Sequence, residues 1–203
     1  MNWQEFSALL VLATAMSFTP GPNTTLSTAL AANHGIRRAL RFICAVTVGW
    51  GVLLSVCTLG LGALVLAVPL LSWAVKISGV AYLLWLAFRI SRSRQPGQAQ
   101  AERLNVSFWQ GTALQFVNIK AWMLALAIVS GWIAGRGDFQ LRFAVVMPVM
   151  LAFAFVSNLS YALAGALLRD WLAGPAGSGQ RLIGFNRIMA AVLVLTAIWM
   201  LFI

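Results

Sequence analysis

Residues 17–27 read SFTPGPNTTLS, in the middle of a segment that is otherwise apolar from Phe6 to Ala32. Pro20 and Pro22 each remove a backbone donor and crowd the preceding turn, at roughly 3 kcal/mol apiece in a helix interior. The expectation is that one helix stops near Thr19 and another starts at Pro22. Proline then occupies the first helical position, where its missing N–H costs nothing. The N–H groups of Asn23, Thr24 and Thr25 would form the positive end of a half-helix, suited to a carboxylate. The plainer alternative is a proline kink, which is common in membrane helices.

The natural solvent of this chain is lipid. Of its 203 residues 61% are hydrophobic and only 9% are charged, against about 25% charged in soluble domains. The formal charge of +10 raises the question of a nucleic-acid partner. No nucleic-acid-binding motif accompanies it, and the arginines are scattered between apolar segments. Membrane proteins concentrate Arg and Lys in cytoplasmic loops, which accounts for the charge without a polyanion. Cys44 and Cys57 fall in one expected helix, about 20 Å apart and beyond disulfide reach. The opening MNWQEF lacks the basic region of a cleavable signal peptide, so the first hydrophobic segment is read as retained.

A membrane span needs about 20 mostly apolar residues. Candidates fall at about 6–32, 40–67, 70–90, 107–134, 143–167 and 184–203. The expected fold class is thus an all-α membrane protein of six transmembrane helices, the first of them broken. It is read as one transporter domain over 1–203, with halves at about 1–90 and 107–203 joined by a cytoplasmic loop at about 91–106.

Orientation follows from the basic residues. The first, third and fifth loops carry Arg37, Arg38, Arg41, Arg89, Arg92, Arg94, Arg103, Arg169, Arg181 and Arg187. The other loops and the tails carry only Arg136 and Arg142, while Lys76 and Lys120 lie inside spans. Ten against two places both termini outside the cytoplasm. An aromatic belt fits the same frame, with Trp3, Trp73, Trp132 and Trp199 near outer ends and Trp85, Trp109 and Trp171 near inner ones. Trp50 and Trp122 lie near span centres instead, as helix packing or as the wall of a central cavity.

Three spans followed by three make any repeat between the halves an inverted one, as in many secondary transporters. The fourth segment has its own polar interruption, QFVNIKAW at 115–122, at a depth equivalent to FTPGPN. Interruptions in corresponding positions of two halves point to a binding site at the midplane.

The chain resembles the LysE/RhtB superfamily of amino-acid exporters. The resemblance covers essentially its whole length and six segments. It rests on TPGPN at 19–23, on His34-Gly35 followed by arginines, and on Asn118-Ile119-Lys120, where the family has Asn-Pro-Lys. The family's proline is missing at Ile119, and isoleucine imposes no kink, so a break in the fourth helix is left open. TALQFVNIK at 112–120 and SNLSYALAG at 157–165 are most similar to the RhtB branch that exports cysteine and O-acetylserine. The resemblance implies a bacterial cytoplasmic-membrane exporter of small amino acids or their derivatives, such as cysteine, O-acetylserine, threonine or homoserine, driven by the proton motive force. It implies no cofactor, no metal and no enzymatic activity; a homodimer is left open.

The charged residues narrow the substrate class. Glu5, Glu102, Asp138 and Asp170 all fall at span ends or in loops, so no carboxylate is available at depth for a second cationic group. Neutral amino acids fit better than dibasic ones. Lys120 is the ionisable residue nearest a span centre. It either serves a substrate or pairs with a helix carbonyl end; Lys76 is near enough to a boundary to snorkel. Ser157, Asn158 and Tyr161 are candidates for an amino group or for interhelical hydrogen bonds. The candidate binding set is Pro20, Gly21, Pro22, Asn23, Thr24, Asn118, Lys120, Trp122 and Asn158. Glycines 49, 51, 60, 62, 131 and 135 are expected at close helix contacts. His34 is expected in a loop, with a proton sensor as the alternative. An intramembrane enzyme using Lys120 as nucleophile or base lacks a partner acid and a metal cluster. A non-transporting subunit would leave PGPN and Lys120 without a role.

Overall fold

The computed structural model describes residues 1–60, 62, 65, 67–93, 106–174 and 179–202. The expected loop at 91–106, with Arg94, Glu102 and Arg103, lies largely outside the described residues. Every element described is helical. Helix α1 covers Trp3–Phe18, α2 Pro22–His34, α3 Ile36–Thr58 and α4 Pro69–Ser91. Helix α5 covers Phe108–Val117 and α6 Ile119–Ile128, the latter continued by a π-helical turn at Val129–Ile133. Then come α7 at Phe139–Leu167, a short α8 at Arg169–Ala173 and α9 at Gln180–Leu201.

Four of these helices, α3, α4, α7 and α9, are long and apolar enough to cross a membrane. A fifth crossing results if α5 and α6, bent by 68° at Asn118, count as one span. The first segment breaks where its prolines require: α1 stops at Phe18, Thr19 caps it in an extended conformation, and Pro22 opens α2. The fourth breaks without proline. Asn118 adopts φ −94° and ψ 98°, which no helix accommodates. Tertiary groups hold that break. The Trp122 indole donates to the Phe116 carbonyl at 2.8 Å. Gly79 of α4 lies so close to Val117 that an added Cβ would come within 2.0 Å of its carbonyl oxygen.

Helix α2 forms the centre of the bundle. Ten of its thirteen residues are buried, against two of sixteen in α1. Its small Ala, Ser and Thr side chains let neighbours approach closely. Gly165 of α7 is the extreme case, since an added Cβ would sit 2.3 Å from the Thr28 carbonyl oxygen. Two apolar clusters flank the centre. One joins Leu26, Leu30, Phe42, Ile43, Leu83, Leu114 and Leu193; the other joins Leu9, Trp50, Leu53, Trp122, Ile128 and Met150.

Large apolar side chains also cover the outside. Leu59, Leu70 and Leu167 are each about four-fifths exposed, and Val11, Leu141 and Leu195 are largely so. A water-soluble surface does not carry such a coat. Trp73, Trp85 and Trp171 are exposed too, and Lys76, Arg89 and Arg181 lie over their rings at 5.2, 4.7 and 4.9 Å. Lys76 is thus a snorkelling lysine on an aromatic face. Cys44 is exposed, Cys57 buried, and both are free.

At the end of the bundle where the chain begins, charges tie α1 to α7. Arg142 is buried and contacts Asp138 at 2.7 Å and Glu5 at 3.3 Å, while Arg136 lies 3.7 Å from Glu5. The Trp132 indole donates to the Glu5 carbonyl at 2.7 Å. The hydrogen bond from Arg142 holds the Asp138 carboxyl below its usual range. That pairing therefore persists at neutral pH and is lost as pH falls through the lowered value.

The glycine expectations divide. Gly49, Gly51 and Gly62 meet neighbours at 2.5–3.0 Å, whereas an added Cβ at Gly60, Gly131 or Gly135 meets nothing within 4 Å. Gly60 and Gly135 have positive φ and serve turns instead. Gly165→Ala should therefore destabilise by roughly 1–3 kcal/mol through overpacking, and Gly131→Ala should be close to neutral. Thermal unfolding of the two variants in detergent measures both.

Candidate functional site

Where the two helix breaks meet, the bundle forms a partly open cavity of about 60 Å³, room for a few waters. The break in the first segment contributes Thr19, Gly21, Pro22, Asn23 and Thr24. The break in the fourth contributes Asn118, Lys120 and Ala121; α7 adds Met150, Ala154, Ser157 and Asn158, and α3 adds Val46 and Trp50. Seven of the nine sequence-derived candidates come together here. Pro20 is exposed and outside the lining. Trp122 also lies outside it, buried behind the wall, with its indole occupied at Phe116. Of the two mid-span tryptophans, the cavity wall is Trp50.

The N-terminus of α2 is organised by its own residues. The Thr24 hydroxyl accepts from the Gly21 N–H at 2.9 Å and donates to the Gly21 carbonyl at 3.0 Å. The Thr25 N–H is bonded to the Gly21 carbonyl at 2.9 Å, so it is not one of the free donors. That corrects the expectation for Thr25. Asn23 and Thr24 retain backbone N–H groups with no carbonyl inside α2 to bond, and both line the cavity.

Lys120 crosses from one break to the other. Its ammonium donates to the Thr19 carbonyl at 2.7 Å, the helix-end pairing that the sequence left open. Its stem runs along Gly21, where an added Cβ would stand 3.4 Å from Lys120 Cδ. Tyr161 holds the neighbouring carbonyl, donating to Phe18 at 2.8 Å. Both residues thus terminate α1, and Lys120 does so on the cavity wall. No carboxylate is among the lining residues.

The remaining polar side chains are mostly paired. The Asn158 carbonyl oxygen accepts from Ser27 at 3.1 Å, and its amide nitrogen donates to Ala154 at 2.7 Å. Asn23 pairs reciprocally with Gln115 at 2.9 and 3.1 Å. Gln115 was missed as a partner, although it opens the QFVNIKAW stretch; a glutamine in an apolar segment, within one turn of Asn118, was the available signal. A second amide pair, Asn33 with Asn186 at 2.8 and 3.0 Å, joins the far end of α2 to α9. His34 ends α2 rather than lying in a loop, 3.4 Å from Arg38. Asn118 is the exception: it is buried, and its side-chain oxygen has no partner among the described residues.

Fold and cavity together define a polytopic helical membrane protein with an internal polar site walled by two broken helices. The chain belongs to the LysE type translocator family, whose model matches residues 14–202. It is 30% identical over 163 residues to a cysteine/O-acetylserine efflux protein of Klebsiella pneumoniae subsp. pneumoniae, covering 80% of this chain and 83% of that one. It is 35% identical over 165 residues to proteins of the same name from Escherichia coli K12 and Shigella flexneri serotype 5b, covering 78% of this chain and 80% of theirs. No solved structure matches.

The amide pair gives a test independent of function. Gln115→Leu leaves the half-buried Asn23 amide without either of its side-chain hydrogen bonds, which should cost roughly 1–3 kcal/mol. Combining it with Asn23→Leu should cost less than the sum of the single changes, because both partners are then apolar. Unfolding midpoints of the four proteins in one detergent give the coupling.

Proposed function

We propose that the protein is a secondary transporter exporting small neutral amino acids or their derivatives, cysteine and O-acetylserine foremost, across the bacterial cytoplasmic membrane. The observation that carries this reading is the convergence of Lys120 and the α2 N-terminus on one internal cavity. A cation and a set of free backbone donors together suit a carboxylate. The efflux names of the relatives support the same substrate class. In this reading α1 with α2, and α5 with α6, each form one broken crossing. Six crossings then arrange as two inverted halves, with both termini outside the cytoplasm. In this reading the cavity belongs to a site that opens toward one side of the membrane at a time. The proton motive force is the proposed drive.

In proteoliposomes, labelled cysteine should show counterflow with the wild-type protein. Lys120→Met keeps the apolar stem and removes the charge. It should cost about 3 kcal/mol of binding, roughly a hundredfold in affinity, while the protein remains folded. Lys120→Arg should bind substrate yet use a proton gradient poorly, because its guanidinium does not give up a proton. Normal transport by well-folded Lys120→Met would return the lysine to a purely structural role.

Orientation has its own measurement. Alkaline phosphatase fused after Ile203 should be active and a fusion near Gln98 inactive. The opposite pattern overturns the topology.

A further inference from the structure

Asn118 occupies the N-cap position of α6, where an asparagine oxygen ordinarily accepts from a backbone N–H two or three residues on. Here it makes no such bond. The residue is 4% exposed, and its side-chain oxygen is buried with no partner among the described residues. A buried polar atom left unpaired costs free energy and calls for an explanation. Asn118 lines the cavity beside Thr19 and Lys120. The other amides near the cavity, Asn23 and Asn158, have their oxygens occupied by Gln115 and Ser27.

We propose that the Asn118 side-chain carbonyl receives the α-ammonium of the substrate, which makes a free primary α-amine a condition for transport. This rests on the reading of the cavity as the substrate site. The lining holds no carboxylate, so an ammonium arriving there must be met by neutral oxygens. Two become available together. When the Lys120 ammonium turns from the Thr19 carbonyl to the substrate carboxylate, the Thr19 carbonyl is released beside Asn118. The substrate ammonium takes the place of the lysine ammonium, and Asn118 supplies the second acceptor. The exchange adds one ion pair and leaves one ammonium on neutral oxygens, as before. Acylating the substrate nitrogen removes both its charge and two of its donors, so N-acyl amino acids are excluded while esters of the side chain are not.

The test uses the full chain in proteoliposomes. Unlabelled O-acetylserine should compete with labelled cysteine in wild-type counterflow, and N-acetylcysteine should not. Asn118→Leu is close to isosteric and removes the unpaired acceptor. Its affinity for cysteine should fall about tenfold to a hundredfold, with an unfolding midpoint equal to or above that of wild type. Asn118→Asp, which retains an acceptor, should stay within a few-fold of wild-type affinity. Effective competition by N-acetylcysteine overturns the proposal. So does unchanged cysteine affinity in Asn118→Leu, or a lower unfolding midpoint, which would mark the amide as structural. Each of these requires that wild type transports. If wild type shows no counterflow with any amino acid, the transporter reading itself fails.

Discussion

A helix cut inside a bundle leaves carbonyls with no helical partner, and the 2.7 Å contact from Lys120 to the Thr19 carbonyl satisfies one of them. In hydrocarbon an unsatisfied backbone group costs several kcal/mol, so irregular backbone survives only with partners supplied by its neighbours. Tyr161 supplies one for Phe18, and Trp122 supplies one for Phe116 on the other side. The first break is thus stabilised by side chains from other segments and the second by an indole of its own segment, and Lys120 belongs to both. Its backbone starts the second half of the fourth segment, while its side chain ends the first half of the first. The first break is dictated by its own prolines, and the second is not.

With α1 ended there, α2 can enter the centre of the bundle as a small-residue helix carrying a polar row. Asn23, Ser27 and Asn33 reach Gln115 on α5, Asn158 on α7 and Asn186 on α9 in turn. These contacts are all neutral. Amide pairs of this kind fix the rotation and height of α2 against three neighbours, because a shift of one residue would leave several buried groups unpaired at once. Neutrality also leaves Lys120 as the charged group on the cavity wall. A site built this way fixes the geometry around one cation without supplying a second charge to pair with it.

Most of the helical frame was legible in the sequence, because spans follow from apolar length, and PGP dictates a break by covalent geometry alone. The observed helices fall on all six expected segments, within a few residues at most ends. The break at Asn118 was not legible. It is held by Gly79 pressed against Val117 and by the Trp122 indole, and neither contact leaves a periodic trace. The same limit explains the tryptophans: Trp50 and Trp122 look alike in sequence, and only packing puts one on the wall and the other behind it. Glycine was equally ambiguous. Gly165, Gly79 and Gly49 sit at backbone contacts, while an added Cβ at Gly131, in a comparable apolar setting, meets nothing within 4 Å. The site came through better than the packing because its polar residues are conspicuous in apolar segments. Gln115 escaped because its role is to satisfy Asn23, which is a relation and not a residue type.

The charge inventory of the cavity bears most directly on what it can hold. One ammonium and several neutral oxygens can match a zwitterion, since its carboxylate takes the lysine and its ammonium takes the carbonyl that the lysine vacates. Adding a cationic side chain to the substrate breaks the match. Glu5 and Asp138 are committed to Arg142 and Arg136 at the end of the bundle, and no described carboxylate lines the cavity. A second positive charge would then face Lys120 across a poorly solvated space, with no counter-ion to offset the desolvation. A carboxylate side chain meets the opposite difficulty, because the single lysine cannot pair two acids at once. If the cavity is the substrate site, as proposed, selection for net neutrality follows from the count of charges in the wall, before the shape of the pocket enters at all.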